Sequence, residues 1–73
     1  MAEINVPSDI NARVFKIEVA IGDAVGAGDT LMILESMKME IPLEAPRPGK
    51  VASILVSEEE EIVEGQDLVI LEG

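Results

Sequence analysis

The chain has 73 residues, no cysteine and no histidine, and a net charge of −10 from 15 acidic and 5 basic side chains. It therefore lacks the commonest general base and the usual zinc ligands, which argues against a self-contained enzyme. The charge disfavours nucleic acid and anionic membranes as partners. No signal peptide opens the chain, and no apolar run approaches the roughly 20 residues of a membrane-spanning helix. We expect residues 1–73 to form one small soluble domain in the cytoplasm.

Strand patterns begin at residues 14–21, where apolar residues recur at every second position. This period of two predicts a half-buried strand with Phe15, Ile17, Val19 and Ile21 on its inner face. Turn signals follow at Gly22-Asp23 and at residues 26–29. Further strands are predicted at residues 31–35, 39–44, 50–56 and 67–72, separated by a Pro/Gly turn at 45–49 and an acidic loop at 57–61. Short strands with turns between them are typical of a sandwich or barrel.

An internal repeat relates the two halves at an offset of 37 residues, the separation of Val14 from Val51. It predicts an all-β fold, a flattened barrel or sandwich of two four-stranded antiparallel sheets with approximate two-fold symmetry. We expect the two halves to pack face to face around a shared core. The matched residues are Val14, Ile17 and Val19 with Val51, Ile54 and Val56, and Gly28, Leu31, Ile33, Leu34 and Glu35 with Gly65, Leu68, Ile70, Leu71 and Glu72.

The stretch from residue 31 to 45 contains no glycine, and as one strand it would span roughly 50 Å at about 3.3 Å per residue. The expected diameter of the whole chain is only roughly 30 Å, so the stretch must fold back, with Lys38 at its midpoint. A helix is the competing interpretation, but the repeat matches residues 31–34 to the strand-like 68–71. A turn at Met37-Lys38 requires positive φ, at a cost of order 1–3 kcal/mol for each residue. An unfavourable choice at an exposed tip indicates function.

Around this tip the sequence resembles a biotinyl domain of the biotin carboxyl carrier family, which belongs with the lipoyl domains to one attachment family. The resemblance covers nearly the whole chain and implies a barrel-sandwich hybrid fold. Its central element is the triplet Met37-Lys38-Met39, preceded by Glu35. The other matching elements are the Gly-Asp turns at residues 22–23 and 28–29, Ala45-Pro46 followed by Gly49, and the ending from Gly65 to Leu71.

The resemblance implies that a biotin protein ligase attaches biotin to the ε-amine of Lys38. Met37, Met39 and Glu35 are expected to help present the hairpin, with Glu40 as a further candidate. The tethered biotin would carry CO2 from a biotin carboxylase to a carboxyltransferase of a biotin-dependent carboxylase acting on an acyl-CoA or related substrate. The domain itself would not be catalytic. Because the chain starts with a methionine and has no Ala/Pro-rich linker, we expect a stand-alone carrier.

Two departures from the family pattern carry structural expectations. Glu59-Glu60 stands where the repeat and the family have Gly-Asp, which predicts a longer or looser turn in the second half. The interval between Val19 and Thr30 leaves no room for the extra hairpin of some acetyl-CoA carboxylase carriers.

Two other functions stay open at this point. The first is a lipoyl-type carrier, although two methionines beside the lysine favour biotin. The second is an unmodified β-domain that binds a partner through exposed methionines, with Lys38 an ordinary turn lysine. One methionine could instead pack against the sheet. Lys16 and Lys50 fall within predicted strands and are interpreted as surface residues, and residues 58–61 as a solvated loop.

Overall fold

The fold is all-β in the computed structural model, which describes residues 2–73. Its strands are β1 (Glu3–Pro7), β2 (Ala12–Ile17), β3 (Ala24–Val25), β4 (Thr30–Ser36), β5 (Met39–Glu44), β6 (Gly49–Ile54), β7 (Glu61–Ile62) and β8 (Asp67–Glu72). They form two four-stranded antiparallel sheets, ordered β1-β8-β6-β3 and β5-β4-β2-β7. The predicted fold class is confirmed, whereas β1, β3 and β7 had no clear signal in the sequence. Within residues 2–73 no helix is long and apolar enough to cross a membrane.

The internal repeat is reproduced in the strand pairing. Val14 pairs with Leu34 between β2 and β4, and their repeat partners Val51 and Leu71 pair between β6 and β8. The β1–β8 and β5–β4 pairings correspond in the same way, including the position of their irregularity. One sheet is therefore the image of the other.

The two halves are interleaved, and this corrects the expectation that they pack face to face. The first half contributes β1 and β3 to one sheet and β2 and β4 to the other. Each sheet thus contains two strands from each half. A strand pattern fixes which residues can lie in strands, but only the pairing of distant strands fixes which sheet each strand joins.

The core lies between the sheets and follows the same symmetry. Apolar side chains at repeat-related positions are buried in pairs, so each half supplies an equivalent part of the interior. The fully or nearly fully buried pairs are Val14 with Val51, Val25 with Ile62, Leu31 with Leu68, Met32 with Val69, and Leu34 with Leu71. This shared core holds β4 in place, and β4 leads directly to the turn at Lys38.

The inner face predicted for residues 14–21 is wrong in part. Val14 is fully buried, whereas Phe15 is 44% exposed and Ile21 67% exposed. The register between β2 and β4 shifts between Val14 and Lys16, so Phe15 is an extra residue that breaks the alternation. Beyond this bulge Ile17 and Val19 do pack against the core.

The turn at Glu59-Glu60 has the same hydrogen bonds as its counterpart, so the prediction of a longer or looser turn is wrong. Gly22 and Glu59 each donate a backbone hydrogen bond to the partner half, at 2.8 and 2.6 Å. Asp23 and Glu60 each accept a hydrogen bond from the backbone N–H three residues earlier, at 2.9 and 3.0 Å. Glu59 adopts φ 72°, where Gly22 has φ 98°. The backbone conformation is therefore kept without glycine.

Candidate attachment site

Lys38 lies in the two-residue turn that joins β4 to β5. Met37 and Lys38 have φ angles of 52° and 66°, and Ser36 pairs with Met39 directly below them. Positive φ at both central residues is the signature of the type I′ turn, which normally contains Asn or Gly. The positive φ values expected from the sequence are confirmed. Each residue stores strain of order 1–3 kcal/mol, which the surrounding structure must support.

The strands below the turn supply this support. β4 is an inner strand that pairs with β5 on one side and with β2 on the other. Leu34, three residues before the turn, is buried in the core and pairs with Ile41 of β5. The side chain of Leu34 is held in the core, and its backbone is paired with β5 on one edge and with β2 on the other. The direction in which the hairpin projects is therefore fixed. The tip is therefore a rigid projection.

The three residues at the tip are all exposed to solvent. Met37 is 92% exposed and Met39 61% exposed, so neither methionine packs into the sheet. Lys38 is exposed as well, and it takes part in neither of the two ion pairs found among residues 2–73. Lys16, by contrast, lies within β2 and has its Nζ atom 3.6 Å from a carboxylate oxygen of Glu18. The Lys38 amine is available to a reagent from outside.

Glu35 is fixed by an arginine that the sequence did not single out. The Nη2 atom of Arg13 on β2 donates a hydrogen bond to Oε1 of Glu35 on β4. This hydrogen bond and the charge of Glu35 raise the pKa of Arg13 above its usual value, and the carboxylates of Glu59 and Glu61 act in the same direction. The repeat contained a signal for this contact, since Lys50 and Glu72 occupy the equivalent paired positions.

An open groove of about 530 Å³ runs beside the lysine. One wall is the hairpin, from Glu35 to Lys38, and the other consists of residues 11–13 and 61–63. Residues 11–13 and 61–63 lie side by side in this second wall because β2 pairs with β7, with Arg13 opposite Glu61. The groove combines the Arg13 guanidinium, carboxylates and apolar surface. The predicted residues Glu35, Met37 and Lys38 line it, while Met39 lies outside.

The site fits a covalently attached prosthetic group. Attachment through an amide requires an amine that a modifying enzyme can reach, and Lys38 is exposed at the end of a rigid hairpin. It also requires that one lysine differ from the others. Lys16 and Lys50 lie inside strands β2 and β6, where neighbouring strands restrict access to the backbone. Of the three lysines, which all lie within the described residues 2–73, Lys38 alone stands in a turn.

Comparison with known proteins agrees with this geometry. The family model described as "Biotin-requiring enzyme" matches residues 2–71. The biotinylated protein TB7.3 homolog of Mycobacterium leprae is 44% identical over 69 residues, which cover 94% of each chain. The biotin carboxyl carrier protein of acetyl-CoA carboxylase from Streptococcus pyogenes is 49% identical over 51 residues, covering 70% of this chain and 31% of that protein.

The fold is also found within a solved carboxylase. The structure of the Kluyveromyces lactis urea carboxylase superposes with a TM-score of 0.91 at 31% identity, covering 97% of this chain and 6% of that one. The chain thus spans nearly the whole mycobacterial relative but a small part of the large carboxylase. Together with the fold, these matches show that the chain belongs to the biotin and lipoyl attachment family, as a biotinyl carrier domain that is not catalytic by itself and has covalent biotin as its cofactor.

Proposed function

We propose that Lys38 is the residue that a biotin protein ligase modifies, and that residues 1–73 act as a single cytoplasmic carrier domain of a biotin-dependent carboxylase. The observation that carries the proposal is the position of the Lys38 amine. It is exposed in a strained two-residue turn between two exposed methionines. Glycine would relieve this strain, yet Met37 and Lys38 occupy the turn. This supports a functional role for their side chains.

The chemistry asked of Lys38 is a single nucleophilic attack. The Nζ atom, in its unprotonated form, attacks the activated carboxyl group of biotin, forms an amide bond and displaces the activating group. In this proposal the ligase supplies the activation and accepts the proton. The domain contributes geometry. A preformed hairpin lowers the ordering cost of entering the ligase active site.

Met37, Met39 and Glu35 have distinct parts in this presentation. The two methionines offer flexible apolar surface on both sides of the amine, which suits docking to more than one partner. Glu35 acts from below, where its ion pair with Arg13 ties β4 to β2 next to the turn. Glu40 pairs across from Glu35 on β5 and is exposed. We assign recognition to the methionines and support to Glu35.

The carrier role follows from tethering. When bound, biotin supplies a ureido nitrogen that carries a carboxyl group between active sites. The domain holds the attachment point on a rigid hairpin, which replaces free diffusion with a high effective concentration at each partner. We propose a biotin carboxylase and a carboxyltransferase as these partners, a proposal supported by the similarity to the carboxyl carrier protein of an acetyl-CoA carboxylase and to a urea carboxylase. The carboxyltransferase would select the acyl-CoA or related substrate.

The test is the intact mass of the protein after co-expression with a biotin ligase. One biotinyl increment is expected in the wild type and none in Lys38→Arg. Lys16→Arg and Lys50→Arg are the matched controls, because they make the same change on strands, and both should keep the increment. An increment that persists in Lys38→Arg would overturn the assignment of the site. A lipoyl increment would favour the lipoyl-type carrier, and an unchanged mass the unmodified domain.

A further inference from the structure

We propose that the groove beside Lys38 is a docking subsite for the bicyclic head of the biotin carried on that same lysine. The inference rests on the proposed function, because it requires biotin on Lys38. In this arrangement the head lies against residues 11–13 and 61–63 between visits to partner enzymes. The domain would then hold its prosthetic group as well as anchor it.

The size and position of the groove support this occupant. Its volume of about 530 Å³ lies within the range of about 300–1,000 Å³ typical of small-molecule sites. Lys38 is itself part of the groove wall, so a group on its Nζ atom starts at the edge of the site. Tethering gives such a group an effective concentration in the millimolar range for short flexible linkers, so that a weak site is still filled.

The polar groups of the groove match a cyclic urea, which presents one carbonyl acceptor between two N–H donors. Arg13 has five N–H donors, and its hydrogen bond to Glu35 leaves others free to donate to the ureido oxygen. Glu61 faces Arg13 across the β2–β7 pairing and offers carboxylate oxygens to a ureido N–H. A donor and an acceptor thus lie on the same wall. Side-chain exposures of 41% for Arg13 and 34% for Glu35 leave the pair accessible from the groove.

Apolar surface is available for the sulfur-containing ring. Val63 is 59% exposed and Met37 92% exposed, and both line the groove. Ile62 also lines the groove but is almost completely buried. Val63 is not part of the core, so its side chain is available to an attached ring. Contact with an attached ring would cover it.

The internal repeat shows that the fold itself does not require these side chains. The segment equivalent to residues 61–63 is 24–26, with the same pairing to the neighbouring strand. There Ala24 stands in place of Glu61, and Gly26 in place of Val63. The same backbone therefore carries a carboxylate and an apolar side chain at the lysine end, and neither at the other end.

The test compares amide proton–nitrogen NMR spectra of the unmodified and the biotinylated protein. Docking predicts shift changes at residues 11–13 and 61–63 in addition to those at the hairpin, and contacts between the Val63 methyl protons and the ring protons of biotin. Residues 24–26 and 48–50 are an internal control, because they form the repeat-related surface without a lysine turn, and should not change.

Two variants sharpen the test. Val63→Gly copies the residue at position 26, so the backbone accepts it. Arg13→Gln removes the guanidinium and leaves only a shorter, neutral amide as donor, which weakens the hydrogen bond to the ureido oxygen. Each should reduce, about twofold or more, the shift changes that biotinylation causes at residues 11–13 and 61–63, because the docked population falls. Lys50→Gln, at the position equivalent to Arg13, should leave them unchanged. The spectrum of each unmodified variant shows whether it is folded.

The outcomes separate the two proposals. Full biotinylation with shift changes confined to residues 36–40 would overturn the docking subsite and leave the carrier assignment intact. The docking subsite would also be overturned if biotinylation caused equal shift changes at residues 11–13 and 61–63 in Arg13→Gln, in Val63→Gly and in the wild type. Absence of a biotinyl increment on Lys38, measured by mass on the same sample, would overturn both.

Discussion

Arg13 on β2 and Glu35 on β4 form an ion pair immediately below the turn that carries Lys38. Glu35 also lies directly opposite Glu40 of β5. Two carboxylates in facing positions repel each other, and the guanidinium on the other side of β4 offsets that repulsion. Glu35, at the base of the hairpin, therefore has one like-charged neighbour, Glu40, and one oppositely charged neighbour, Arg13.

We predict that Arg13→Gln lowers the melting temperature at low ionic strength and that the difference largely disappears at about 1 M salt, where the screening length is about 3 Å. The loss at low salt should be smaller than that caused by Val14→Ala, since the ion pair is on the surface. Thermal unfolding at two salt concentrations is the measurement. Lys16→Gln removes the other ion pair, away from the turn, and serves as the control. An equal decrease at both salt concentrations would show that packing, and not charge, explains the effect.

The strained turn leads to a second prediction. Replacing Met37 and Lys38 together by Asn and Gly should raise the free energy of unfolding by about 1–3 kcal/mol, because Asn-Gly is the preferred type I′ pair. The gain is smaller than the summed strain of the two residues, since glycine also makes the unfolded chain more flexible. The same variant should lose all biotin incorporation. Chemical denaturation and intact mass measure the two effects. Lys38→Arg, which keeps the strain and loses the amine, should match the wild type in stability. If the Asn-Gly variant were no more stable than Lys38→Arg, the turn would not store strain.

A third prediction concerns the turn that keeps its shape without glycine. Glu59→Gly should stabilise the protein by about 1 kcal/mol, because Glu59 has φ 72° and glycine adopts this conformation freely. Gly22→Ala at the equivalent position should destabilise it by about 1–2 kcal/mol. A Cβ atom at Gly22 would meet no atom within 4 Å, so the effect is due to the backbone alone. Urea denaturation of both variants tests the pair, and changes of the same sign would contradict it.

The β-bulge gives a fourth prediction, which contrasts two adjacent residues. Val14→Ala should cost about 2–3 kcal/mol, because Val14 is completely buried. Phe15→Ala should cost less than about 1 kcal/mol, since Phe15 is 44% exposed. Denaturation midpoints of the two variants decide between the bulge and a regular strand. A regular strand with Phe15 inside would reverse the order.

Several features of the site were predictable from the sequence for physical reasons. The turn at Met37-Lys38 followed from chain length, because a straight strand from residue 31 to 45 could not fit a domain of this size. The radius of gyration of 11.2 Å agrees with the value of about 11 Å expected for such a chain. The identity of the modified residue remains a prediction.

Other features depended on contacts between distant residues. The pattern at residues 14–21 alternates regularly, yet the register with β4 inserts Phe15 as a bulge. No feature of residues 14–21 alone distinguishes this bulge from a regular strand. A bulge is defined by how many residues of the partner strand lie opposite it. The Arg13–Glu35 pair is of the same kind, since its members are 22 positions apart and meet only when β2 and β4 align.

The sequence by itself determined that this chain forms two matching sets of short strands and reverses at Lys38, because periodicity, the repeat and chain length can be evaluated without knowing which strands pair. The tertiary structure decided that the sets interleave into two sheets, that Glu59 keeps a glycine-like conformation, and which side chains gather around the lysine. These depend on hydrogen bonds and packing between segments far apart in the chain, and such contacts form only once the strands have paired.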